Sequence, residues 1–242
     1  MPDSDGSPWQ EGKRWALSLT YDGAWPEHLS EVWPLLRDVG LKATFFVSPT
    51  RLLDDPRAWQ ALAAEGHEIG SHSLFGASDG GTLFNWTLPM VQADLRMTQR
   101  LLKGLVGVEP ESFALPGWST ASGEGDYLPV VQEHFRFVRT DRREVITAAK
   151  FDPKALASNP LEEADAPAAL QVARLCGGWQ ILRIGRLGGQ PGRCDSFEHE
   201  RLVRDWAKMH DLWIAPVREV GSRLLACRHG LSAEGASVAG DP

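Results

Sequence analysis

The chain has 242 residues, 43% apolar and 24% charged, enough for one large domain with a full hydrophobic core. Its formal net charge of −7 argues against nucleic acid and against an anionic membrane surface as principal partners. No apolar run approaches the ~20 residues of a membrane-spanning helix, and the polar residues 1–13 carry no apolar signal-peptide core.

The expected elements follow in order. Residues 1–13 read as a disordered leader, and residues 14–227 as the folded domain. The stretch from Trp15 to Trp25, WALSLTYDGAW, opens with an apolar, β-compatible strand that ends in an acid, Asp22. Apolar residues at helical spacing (Leu29, Val32, Trp33, Leu36, Val39) predict a helix over 27–39, stopped by Gly40. A second strand is expected at 42–48, a helix at 57–65 and a third strand at 67–72. Residues 76–88 are rich in Gly, Ser, Asp and Thr and read as a long loop. The strongest helical pattern covers 90–106, with Pro89 suited to a first-turn position. Strands at 112–115, 135–139, 179–184 and 212–215 alternate with helices at 127–134, near 160–175, at 198–209 and at 217–226. A loose tail is expected over 228–242.

Strands alternating with helices require a parallel sheet with helical crossovers. Seven such units suit a small α/β barrel, and no Gly-x-Gly-x-x-Gly follows the first strand to support a dinucleotide fold. In a parallel barrel the reactive groups sit at the C-terminal strand ends. Here those positions are Asp22, His72, Pro116 to Trp118, Arg139 to Asp141, Gly185 to Arg186, and Pro216. Ten tryptophans are many for this length; most serve packing, but some at strand ends would suit sugar faces. Cys176, Cys194 and Cys227 have no metal-binding spacing and read as free thiols, so the expected location is cytoplasmic.

Thr20-Tyr21-Asp22-Gly23-Ala24, the approach Gly66-His67-Glu68-Ile69-Gly70 and the following His72-Ser73-Leu74-Phe75-Gly76 resemble motifs of the polysaccharide deacetylases, the NodB homology domain of carbohydrate esterase family 4. The seventh strand, Leu212 to Val217, is family-like as well. The resemblance implies a distorted (β/α)7 barrel with outer helices. It also implies a general base at Asp22, a metal ligand at His72, further ligands where Gly23 and Gly76 stand, and a general acid where Gly185 stands. The family's base-orienting Arg falls on Ala114, while Arg139-Thr140 resembles an Arg-Ser/Thr pair of a bacterial branch.

A single imidazole holds a divalent ion weakly. The expectation is therefore no cofactor, or at most weakly bound zinc. The functional expectation is a deacetylase-like protein that acts on or binds carbohydrate or another small molecule and, with its degraded metal site, is inactive as a metal-dependent N- or O-deacetylase; no nucleic-acid or membrane partner is expected, and a protein partner is left open. An alternative is a metal-independent hydrolase of an amide or ureide bond using Asp22 and His72. A third is a metal enzyme with loop ligands drawn from Asp79, Glu124, Asp126 or Asp141. Expected ligand contacts are Tyr21, Trp25, Pro116, Trp118, Arg139, Arg183 and Arg186. Residues two apart on a strand share a face, so Arg183 should point inward with Gly185. It is the expected cationic partner of Asp22, ahead of Arg186 and Arg139.

Overall fold

A computed structural model describes residues 7–10, 12–74, 83–117, 119–190 and 192–237, with 229–237 as backbone only. The chain runs β1 (Trp15–Asp22), a π-helical turn (His28–Val32), α1 (Trp33–Asp38), β2 (Thr44–Val47), α2 (Pro49–Leu52), α3 (Pro56–Ala64), β3 (Glu68–Ser71) and α4 (Leu88–Val106). There follow β4 (Ser112–Ala114), a short antiparallel hairpin of β5 (Ala121–Ser122) and β6 (Gly125–Asp126), α5 (Leu128–His134), β7 (Phe137–Arg139) and β8 (Asn159–Pro160). The last elements are α6 (Ala166–Cys176), β9 (Trp179–Ile184), α7 (Ser196–Ala207), β10 (Leu212–Ile214) and α8 (Val217–Ser237).

The main sheet runs β7-β4-β3-β2-β1-β9-β8, and every pairing in it is parallel. One edge of β1 is shared: Thr20–Asp22 pair with β2, while Trp15–Leu17 pair with β10. The sheet curls until its two ends meet. Leu156, just before β8, accepts from the Thr140 amide and donates to the Val138 carbonyl of β7. The result is a distorted (β/α) barrel wrapped by helices. The expected strands and helices are present at close to their expected positions. The two-residue β8 is an addition, invisible to periodicity because it is short and contains Pro160.

Alternation along the strands divides the core. Ala16, Phe46, Ala114, Phe137, Trp179 and Ile181 fill the barrel interior, whereas Leu17, Leu19, Tyr21, Phe45 and Leu182 pack outward under the helices. The leader is not wholly detached. Trp9 is 1% exposed, and its indole N–H donates to the Gly177 carbonyl at 2.9 Å. One aromatic side chain with a buried polar partner is enough to dock this stretch, which corrects the expectation of disorder throughout 1–13. At the other end α8 continues beyond Ala226 to Ser237. Among the described residues no helix is long and apolar enough to cross a membrane.

Candidate functional site

A cavity of about 450 Å3 opens at the C-terminal ends of the strands. Asp22, Ser48, His72, Leu115, Asp141 and Gly185, each at or just beyond a strand end, line it. Because side chains alternate, Thr20 and Asp22 of β1 face inward. Arg139 rises from β7 to meet both: Nη2 donates to Asp22 Oδ2 at 2.5 Å and Nη1 to Thr20 Oγ1 at 2.7 Å. The guanidinium lies 4.9 Å from the centre of the Phe46 ring and its side chain is 1% exposed. A carboxylate offsets much of the cost of burying this cation. Asp22 Oδ1, in contrast, is buried with no hydrogen-bond partner among the described residues.

More arginines surround the opening. Arg51 of α2 stacks 3.7 Å from the centre of the Trp25 ring and donates to the Gly23 carbonyl at 3.2 Å. Arg186 lies 4.3 Å from the same ring and pairs with Glu27 at 3.0 Å. Arg143 grips Glu163 through both of its Nη atoms. Arg183 also lines the cavity, as its inward strand position requires, but it makes no salt bridge among the described residues. The expected Arg183–Asp22 pair is therefore replaced by Arg139–Asp22. Both arginines occupy inward positions, and the curl of the barrel decides which one reaches Asp22.

The backbone beside the two expected catalytic residues is strained. Gly23 (φ +95°) and Ala24 (φ +54°) turn sharply after Asp22, and Ser73 (φ +64°) follows His72. A non-Gly residue in this region costs free energy and persists only where its surroundings hold it. Asp94 does so for the second turn, accepting from the Leu74 amide at 3.2 Å. His72 Nδ1 lies 3.0 Å from the Ala114 carbonyl, which fixes the tautomer with hydrogen on Nδ1 and leaves Nε2 basic. Burial holds the His72 pKa below the ordinary histidine value, against the opposite pull of Asp22. A second histidine, His28, is fully buried, with Nε2 donating to the Gly185 carbonyl at 2.8 Å; burial lowers its pKa to about 4.

These residues do not fit a divalent metal. Among the described residues no three His, Cys, Asp or Glu side chains come together. Asp22 is committed to a guanidinium. A Cβ on Gly23 would meet Trp25 Nε1 at 2.8 Å and Arg51 Nη1 at 2.9 Å, so an acidic ligand there would require these side chains to shift. Gly76 lies outside the described residues and offers no side-chain donor.

Of the other expected contacts, Trp25, Pro116, Arg183 and Arg186 line the cavity. Arg139 lies beneath it, bound to Asp22. Tyr21 does not line it. It is fully buried on the outward face of β1, stacked 5.1 Å from Phe45, with its hydroxyl 2.9 Å from His199 Nε2. Strand alternation demands this once Asp22 faces in. Trp25 is not a free sugar platform, since two guanidiniums lie over its ring. Trp118 and Asp79 lie outside the described residues. Glu124 and Asp126 instead accept from the Leu88 and Leu128 amides, where α4 and α5 begin, while Asp141 does line the cavity. Arg51 and Arg143 were not anticipated. Arg51 follows the second strand closely and could have been found by extending the strand-end rule to β2.

Residues 10–123 match the family profile of polysaccharide deacetylase. The chain is 38% identical over 115 residues to "Gellan lyase" of Bacillus sp, a match covering 47% of this chain and 4% of that protein's length. In structure it is similar to a probable polysaccharide deacetylase from Pseudomonas aeruginosa PAO1, with TM-score 0.69, 15% identity, and 92% and 96% of the two chains covered. It is also similar to a mutant of a CE4 family pseudoenzyme with restored enzymatic activity, with TM-score 0.56, 14% identity, and 88% and 69% covered. The fold is that of the NodB-type barrel. The family match covers just under half of the chain, residues 10–123, and the structural likenesses, at 14–15% identity, show the fold.

Proposed function

We propose that this domain binds carbohydrate in the barrel-top cavity and does not carry out metal-dependent deacetylation. The observation that carries this reading is the ligand position at Gly23: it has no side chain, its φ of +95° disfavours one, and a Cβ there would have to displace Arg51 and Trp25. The Arg139–Asp22 pair supports it, because Asp22 Oδ2 is taken up by a guanidinium and not left for a metal ion. So does the absence of any side chain at Gly185, the position that the family resemblance assigns to the general acid. Elemental analysis of purified protein should find only sub-stoichiometric zinc, nickel or cobalt. Acetate release from acetylated xylan or chitooligosaccharides should match the buffer control, with or without added metal. Metal-stimulated release that disappears in Asp22→Asn contradicts the reading.

One observation favours a second reading, a metal-independent hydrolase of an amide or ureide bond. His72 lines the cavity with a defined tautomer, its Nε2 lone pair available to accept a proton. Turnover of such a substrate in excess chelator, abolished in His72→Gln, would establish this alternative.

A further inference from the structure

We propose that the carbohydrate taken by this cavity is acidic, a uronic-acid-bearing glycan whose carboxylate is held by Arg183 and Arg51. This rests on the carbohydrate reading above and specifies its substrate class. Four arginines and two aspartates line the cavity. One aspartate, Asp22, is already paired with Arg139 below. Two of the arginines are also committed, Arg143 to Glu163 and Arg186 to Glu27. Arg51 and Arg183 remain without an ion-pair partner among the described residues.

Each of these two is held for a ligand in its own way. Arg51 is fixed by stacking on Trp25 and by the Gly23 carbonyl, contacts that orient a guanidinium without neutralising it. Arg183 stands at an inward position between the outward-facing Leu182 and Ile184. Glu162 lies within electrostatic range of Arg183 but forms no salt bridge with it. A half-buried guanidinium that the fold leaves unpaired is a cost recovered only when an anion binds. The planar donor fork of arginine matches a carboxylate, which can accept two parallel hydrogen bonds. The chain as a whole carries −7, so the two guanidiniums without an ion-pair partner are a local feature of the cavity rather than part of a general positive field.

The test is calorimetric titration of the full chain with three probes. They are a glucuronic-acid-containing oligosaccharide, the same oligosaccharide with its carboxylates reduced to hydroxymethyl groups, and inorganic phosphate. The acidic sugar should bind about tenfold or more tighter than its reduced form, and Arg183→Met should remove about tenfold or more of that affinity. Raising the salt concentration should weaken the acidic sugar selectively. Equal binding of acidic and reduced sugars overturns the inference and leaves the carbohydrate reading standing. Binding of phosphate with no binding of either sugar overturns both. Should Arg183→Met fail to fold by circular dichroism, Arg51→Met takes its place, and undiminished binding of the acidic sugar by that variant overturns the inference.

Discussion

Two carboxylates, Glu68 buried and Asp22 nearly so, stand at opposite ends of the barrel. Glu68, at the start of β3, is 3% exposed. Both of its oxygens are occupied: Ser112 Oγ donates to one at 2.6 Å, and Thr44 Oγ1 and the Arg218 amide donate to the other at 2.8 and 2.9 Å. It ties β2, β3 and β4 to the first turn of α8. Asp22, at the end of β1, takes one guanidinium on Oδ2 and, among the described residues, nothing on Oδ1. The floor carboxylate is satisfied by neutral donors and is finished as structure. The rim carboxylate balances a buried cation and keeps one oxygen in reserve beside the cavity. Of these two carboxylates, the one left incompletely satisfied stands at the end where a ligand is expected.

The sharpest way to break that comparison is to remove the cation. Arg139→Met strands the Asp22 carboxylate and should destabilise the fold by about 3–5 kcal/mol in urea unfolding. Adding Asp22→Asn should recover part of the loss, so that the double variant costs less than the sum of the singles. Strictly additive losses mean that the pair is not coupled. At the floor, Glu68→Gln puts an amide NH2 group where only donors point. It should cost about 1–3 kcal/mol and leave sugar affinity unchanged. A change in affinity would show that the two ends are not independent.

The strand pattern was largely legible. Strand β9 falls on the expected residues, and Asp22 and His72 reach the strand-end site that periodicity assigns them. What one-dimensional reading could not supply is the register around the barrel. Arg139 and Arg183 both occupy inward positions, and only closure of the sheet through Leu156 brings β7 opposite β1 at the height of Asp22. Tyr21 was a different failure. The alternation that sends Asp22 inward already sends its neighbour outward. Trp25 looked like a sugar platform because nothing local reveals that the four-residue α2 delivers Arg51 onto its ring.

The outward face of β1 offers a smaller effect, one that depends on pH. Tyr21 bonds His199, whose burial lowers its pKa to about 4 from an ordinary value of 6.5. Between those values the unfolded chain binds a proton at this histidine and the folded chain does not. Its stabilisation is present above pH 6.5 and is lost as pH falls toward about 4. His199→Gln cannot titrate. The stability advantage of the parent chain over this variant should therefore shrink on acidification, by on the order of 1.4 kcal/mol per pH unit within that window. A constant difference across the window would mean that His199 protonates freely in the folded barrel. Ligand affinity at the rim should be the same in both proteins at pH 7.

The smallest expected effect separates the two glycines of the rim. Gly23 has φ +95° and is hemmed in by Trp25 and Arg51. Gly185 has an ordinary φ, and a Cβ there meets no atom within 4 Å. Gly185→Ala should therefore be neutral or stabilising, by about 0.4–1 kcal/mol, because it restricts the unfolded chain without straining the folded one. The contact between His28 and the Gly185 carbonyl involves backbone at this position and survives the change. Gly185→His uses the same open space to supply an imidazole at the mouth of the cavity. It should fold as well as the parent and still release no acetate, since an acid without a polarised acyl oxygen has no leaving group to protonate. Thermal melts and an acetate assay on these two variants decide the point. Destabilisation by Gly185→Ala would mean that the space is closed, and acetate release by Gly185→His would mean that the missing acid alone had silenced the site.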